Sequence, residues 1–120
     1  MERDMLNNAL LFDTYGDLLT EKMRLCCDLR YNQDLSLGEI SELEGISRQA
    51  VRDNLARAEA QMNELEDKLG VVRLSLGLES AREELEMAKL LAMDLGDGSE
   101  EVIERIDNAI RHMEEGTYGL

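Results

Sequence analysis

Glu39-Ile40-Ser41-Glu42-Leu43-Glu44-Gly45-Ile46-Ser47-Arg48-Gln49-Ala50-Val51 is the stretch on which the fold turns. Gly45 stands where a chain reversing between two helices needs a positive φ, which glycine takes without steric cost. Ser47, just beyond it, offers a hydroxyl to the orphan amides that begin a helix. Ser41 is small enough for close helix approach, and Ile40, Ile46 and Val51 fall where two helices would be pinned together. Upstream, Ser36 and Glu39 form a capping box in which hydroxyl and carboxylate each satisfy the other's backbone amide. These requirements agree on a helix-turn-helix over residues 36–58, against the plainer reading of two capped helices joined by a glycine. One departure is Glu44, since the residue before the turn glycine is usually apolar; here Leu43 precedes it.

Outward from the motif, the chain reads as all-α. Its 120 residues contain no proline, one Phe and three Tyr, and residues that lose little on entering a helix dominate. The spacing predicts a first helix from Met5 to Tyr15 with Leu6, Leu10 and Leu11 inward and Gly16 as its stop. Thr20 caps a second, through Met23, Leu25, Cys26, Leu29 and Arg30, ending near Asn32 and Asp34. A long fourth helix follows Ser47, with Val51, Leu55, Ala58, Met62, Leu65 and Leu69 as a heptad seam and Gly70 as its break. Val71 to Leu78 reads as a loop or a short apolar turn. A fifth helix, Glu79 to Leu95, puts Ala81, Leu85, Ala88, Leu91, Ala92 and Leu95 on one stripe. Gly96, Asp97 and Gly98 then separate a sixth, with Ser99, Val102, Ile103, Ile106, Ile110 and Met113.

The division expected is a helix-turn-helix domain over residues 1–69 and an acidic helical extension over 70–120, the latter folded back as a C-terminal hairpin. The hairpin needs a receiving surface, and the heptad seam, in the same chain or in a second copy, is the obvious one; a homodimer is the expectation. Cys26 and Cys27 point about 100° apart if helical, which disfavours a disulfide or a shared metal between them and marks them as reduced packing residues.

Net charge is −14, and residues 59–120 carry 6 basic against 16 acidic side chains. Such a chain opposes non-specific binding to a polyanion, so any nucleic-acid contact has to be local. No stretch approaches the ~20 apolar residues of a membrane span, and the N-terminus lacks the basic and apolar blocks of a signal peptide, so the expected location is the cytoplasm, without membrane insertion. No enzyme is expected, and no cofactor or small-molecule substrate. Gly96 and Gly98 lack the lysine of a phosphate-binding loop, and no Ser or Cys has a base visible in sequence to activate it. His112 with Glu115 is a solvated pair rather than a metal site. Met62, Met93 and Met113, near apolar stripes, are expected in the core.

If the unit reads duplex DNA, the first turns of the fourth helix enter the major groove, with Ser47 at its start, Arg48, Gln49 and Arg52 at base edges and Arg57 on a phosphate. Against this, Glu39, Glu42, Glu44 and Asp53 outnumber Arg48, Arg52 and Arg57. The alternative is a solvated helix face, with Glu59 as a partner for Arg52, or a surface for a protein.

The architecture resembles the last DNA-binding region, region four, of bacterial sigma factors. More closely, three runs resemble the YlxM family: Leu11-Phe12-Asp13, Tyr15-Gly16 and Leu18-Leu19-Thr20; then Asp34-Leu35-Ser36-Leu37-Gly38-Glu39-Ile40; then Gly45-Ile46-Ser47-Arg48-Gln49-Ala50-Val51 with Asp53-Asn54. The likeness covers roughly residues 5–70. Genes of that family lie beside those of the signal recognition particle in Gram-positive bacteria. The resemblance therefore implies a non-enzymatic accessory or regulatory role in protein targeting, with the particle's protein or RNA as partner. A sequence-specific DNA-binding regulator is the alternative. Arg52 stands where the family tends to an aromatic residue, and the last fifty residues are longer and more acidic than the resemblance leads one to expect.

Overall fold

The computed structural model describes the backbone of residues 2–118 and the side chains of residues 4–115. Six α-helices follow in order: α1 (Glu2–Tyr15), α2 (Glu21–Cys27), α3 (Leu37–Glu44), α4 (Arg48–Leu69), α5 (Val71–Asp94) and α6 (Glu100–Tyr118). A 3₁₀ turn (Gly16–Leu18) links α1 to α2, and a π-helical segment (Asp28–Asn32) prolongs α2. Among the described residues there is no strand. The chain divides into two compact units, Met1–Val72 and Arg73–Leu120, so α5 begins in the first and continues into the second.

The first unit is built around α4. Val51, Leu55, Ala58 and Met62 along its seam are buried with Ile40 of α3, Met23, Cys26 and Cys27 of α2, Leu29, and Leu11 and Tyr15 of α1. The seam is therefore filled by α1, α2 and α3 of its own unit and is no open receiver for the terminal hairpin, as the heptad reading expected. Only the last seam residue, Leu69, is exposed. The reach of α4 differs from that of a coiled coil because short helices crossing it meet four successive turns. Tyr31 closes one side, its ring tilted against Phe12 and its hydroxyl donating to Glu59 Oε1 at 2.7 Å. Asn54, the one buried polar residue among those described, donates to the Ala50 carbonyl and so is not left unsatisfied.

Two further expectations are corrected. Of the three leucines expected inward on α1 only Leu11 is buried; Leu6 and Leu10 are exposed, because just one face of the helix meets α4. The stretch 71–78 is neither loop nor turn but the opening of α5. Gly70 ends α4 in the left-handed conformation, and the next helix starts at once because its first amides find distant partners. Val71 N–H donates to the Tyr15 hydroxyl at 3.2 Å and Val72 N–H to Glu66 Oε1 at 2.9 Å; that carboxylate also accepts from Tyr15 Oη at 2.6 Å. Burial and the bond to Glu66 push the Tyr15 phenol above its ordinary pKa.

In the second unit, Gly96 and Gly98 take positive φ between α5 and α6, and the Lys89–Asp107 ion pair joins the two helices at 2.9 Å. Among its described residues, Ala92 and Ile110 are the buried apolar ones. The stripe expected on α5 is corrected here: Ala92 is buried and Leu85 half-buried, but Ala81, Ala88, Leu91 and Leu95 are exposed. Met62 is core, Met113 half-buried, and Met93 exposed.

Candidate recognition surface

The turn of the helix-turn-helix is made by local chemistry. Ser36 caps α3 by accepting from Glu39 N–H at 3.1 Å, while Glu39 Oε1 accepts from Ser36 N–H at 3.0 Å. Hydrogen bonding of the Glu39 carboxyl to the Ser36 backbone amide, the larger cause, and to the Ser36 side chain holds it below its ordinary pKa. Gly45 ends α3 at φ +67, and its N–H donates to the Ser41 carbonyl. Ser41 does more than permit approach: its hydroxyl donates to the Ile46 carbonyl across the turn, fixing the chain as it leaves Gly45. Ser47 then caps α4 by accepting from Ala50 N–H at 3.0 Å. Ile40 and Val51 are fully buried and Ile46 packs against the same core, so the three anchors meet.

Ser47, Arg48, Gln49, Arg52 and Arg57 are all exposed on α4. Helical spacing sorts them into two neighbouring stripes, Arg48 with Arg52 and Gln49 with Asp53 and Arg57. No ion pair within 4 Å engages Arg48, Arg52 or Arg57 among the described residues. The guanidinium of Arg48 lies back over α3, where a Cβ added to Gly38 would stand 3.0 Å from its Nη2. Glycine at 38 thus makes room for that arginine. On the second stripe Asp53 is the hub: Gln49 Nε2 donates to its carboxylate at 3.0 Å, and Arg57 Nε to its backbone carbonyl at 3.3 Å.

Arg52 opens onto a shallow hollow shared with Arg30, Leu37, Ala56 and Glu59. Glu59 does not pair with Arg52, as sequence spacing allowed, but accepts from Tyr31, whose own pKa is driven up by burial and that bond. Arg30 is the residue that sequence reading missed as a neighbour of Arg52. Its Nη1 donates to the Leu35 carbonyl at 2.9 Å across the end of the π-helical segment, a non-local placement with no periodic signal. The surface is therefore a patch of arginines with a carboxylate set among them, able to make directed hydrogen bonds but without the uniform positive field of a phosphate-binding face.

A two-helix unit with a capped turn, a left-handed glycine and an exposed second helix defines this as a helix-turn-helix protein. Residues 2–108 match the model of a family described as "Putative helix-turn-helix protein, YlxM / p13 like", and the chain belongs to that family, UPF0122. It is 39% identical over 102 residues to a UPF0122 protein of Clostridium kluyveri, covering 85% of this chain and 90% of that one. A UPF0122 protein of Acetivibrio thermocellus is 39% identical over 111 residues, covering 89% of this chain and 93% of the relative. The similarity is denser in one region: a UPF0122 protein of Thermoanaerobacter sp. (strain X514) is 52% identical over 73 residues, 61% of this chain. There the chain spans about three-fifths of the relative's length, 62%. Among the described residues no helix is long and apolar enough to cross a membrane, and no group of three or more His, Cys, Asp or Glu could hold a metal ion.

Proposed function

We propose that this protein is a non-enzymatic accessory factor of the signal recognition particle pathway, and that the exposed face of α4 contacts a protein of that pathway in preference to nucleic acid. The position of Asp53 carries the second half of the reading. It sits between Gln49 and Arg57, holds the amide that would otherwise read an adenine, and sets a negative charge on the exposed face that would approach the phosphates. A protein partner can answer both signs of charge, whereas duplex DNA answers only one. The pathway itself rests on the YlxM resemblance.

The test is association of the full chain with the particle's GTPase, its receptor and its RNA, each immobilised in turn, together with GTPase rates. Binding to a protein component with an altered rate supports the reading; no association and no change in rate overturns it. Asp53→Asn discriminates the ligand. It should weaken a protein contact that uses the carboxylate, and strengthen one with RNA or DNA by removing a like charge from the phosphates.

A sequence-specific DNA reader remains the second reading, favoured by Arg48 and Arg52 on one stripe behind a capped α4 N-terminus. Selection from a random duplex pool at low salt decides it, since phosphate attraction is greatest there; enrichment of a defined site supports it and its absence counts against it.

A further inference from the structure

The helix α5 is apolar on more than one side. Toward α6 it buries Ala92, half-buries Leu85 and sends Lys89 to Asp107. On another face Met87 is 58%, Leu90 58%, Leu91 62% and Leu95 81% exposed. Spacings of three and four gather Met87, Leu90 and Leu91 on a single strip of α5, which Leu95 in the turn just beyond the helix extends, and an uncovered strip of this kind marks an interaction surface. The same face carries Glu83, Glu84 and Asp94, all exposed. The basic residues in the middle of α5 lie elsewhere, with acidic partners: Arg82 pairs with Glu79 and Glu86, and Lys89 with Asp107. The face is therefore apolar along its middle and anionic toward its two ends, with Glu83 and Glu84 before the strip and Asp94 near its close.

We propose that the face formed by Met87, Leu90 and Leu91 of α5, with Leu95 just beyond it, docks a basic amphipathic helix of another protein, leucine-type residues against the strip and Lys or Arg against Glu83, Glu84 and Asp94. Charge complementarity selects this occupant. A second copy of the chain would bring the same three carboxylates onto a like-charged face, at a net charge of −14 per molecule. Methionine and leucine suit such a role because an unbranched, polarizable side chain adapts to the shape of the incoming helix. This surface shares no residue with α3 or α4, so it stands or falls separately from the recognition face.

The probe is a synthetic amphipathic peptide of Leu and Lys, roughly 18 residues so that it can become helical on binding. It is compared by fluorescence anisotropy against the full chain with a peptide of the same composition scrambled to remove its apolar face, and with a Leu and Glu counterpart. The amphipathic Leu/Lys peptide is expected to bind one per chain and the other two at least about tenfold more weakly. The deciding variant is Leu91→Glu, which adds negative charge at an exposed position. If the apolar strip is the dock, Leu91→Glu weakens the Leu/Lys peptide about tenfold although attraction by charge has grown. Binding that is unchanged or stronger in Leu91→Glu overturns the proposal in favour of simple charge attraction. Met87→Ser should weaken binding in the same direction without any change of charge, and circular dichroism of each variant checks that the helices persist. Sedimentation showing a dimer that Leu91→Glu dissociates, together with no peptide binding to the parent chain, also overturns it and gives the face to a second copy.

Discussion

Two glycines with opposite reasons for being glycine show how single residues shape this molecule. At Gly45 a Cβ would meet nothing within 4 Å, but φ is +67. Alanine there should cost about 1–2 kcal/mol through backbone conformation alone. Gly16 is the reverse: a Cβ would stand 2.8 and 2.9 Å from ring carbons of Phe12, in a buried position. Gly16→Ala should therefore cost about 1–3 kcal/mol through overpacking. Urea unfolding of the single and double variants separates the two. Phe12→Leu should relieve part of the Gly16→Ala loss and none of the Gly45→Ala loss; equal behaviour in both cycles would show the assignment to be wrong. Gly45 could be read from sequence because a positive φ at a helix end is a local demand. Gly16 could be read only as a stop, since the ring it accommodates is placed by the packing of Phe12 on Tyr31.

Helix by helix, what decided legibility was where each end finds its hydrogen-bond partners. The starts of α3 and α4 are capped by Ser36 and Ser47, each serving an amide three residues on, so both could be placed from sequence. The start of α5 has no such local cap. Its first amides are served by Glu66 and by Tyr15, the latter 56 positions away, and beside Gly70 the segment therefore looked like a break. The candidate site divides in the same way. Exposure of Arg48, Arg52 and Arg57 followed from the helix period, and the Gln49–Asp53 pair is one turn apart. The approach of Arg30 to Arg52 and of Arg48 to Gly38 needed the tertiary fold. The capping box also sets a dependence on pH. Because the folded Glu39 carboxyl lies below its ordinary 4.5, its charged form stabilises the fold fully above that value, and the contribution is lost as pH falls through the lower folded value. Glu39→Gln keeps an acceptor for the Ser36 amide but cannot titrate. The stability gap between the two proteins should be constant from about pH 7 to about pH 5 and close in more acid solution; a gap that persists unchanged well below the ordinary pKa would refute the charge contribution.

Taken whole, the chain couples a tightly filled unit to a sparsely buried one, and the cysteines report on the first. Cys26 and Cys27 are free and buried, and desolvation raises both thiols, Cys27 to about 12. Thiolate is the reacting form, so neither should be alkylated by iodoacetamide at neutral pH while the first unit is folded. Labelling should follow the denaturant curve of that unit, and rapid labelling under native conditions would show that α2 opens by itself. The acidic second unit is held with far less apolar burial, and its ion pairs are mostly exposed contacts between neighbouring turns, each worth little. The Tyr15–Glu66 pair has a consequence for where the chain can be cut. Gly70, left-handed and between two helices, looks like the natural site for a protease, yet the amides just beyond it are tied to the end of α1 and the last turn of α4. A protease needs several consecutive residues to leave their hydrogen bonds and stretch into its cleft. Near the junction of the two units that demand is met with less loss further on, at Arg73 to Gly77, where every residue is exposed and a glycine inside a helix lowers the cost of local fraying. The seam along which the two units can be separated as fragments thus lies within a continuous helix, and the left-handed glycine stays with the first fragment.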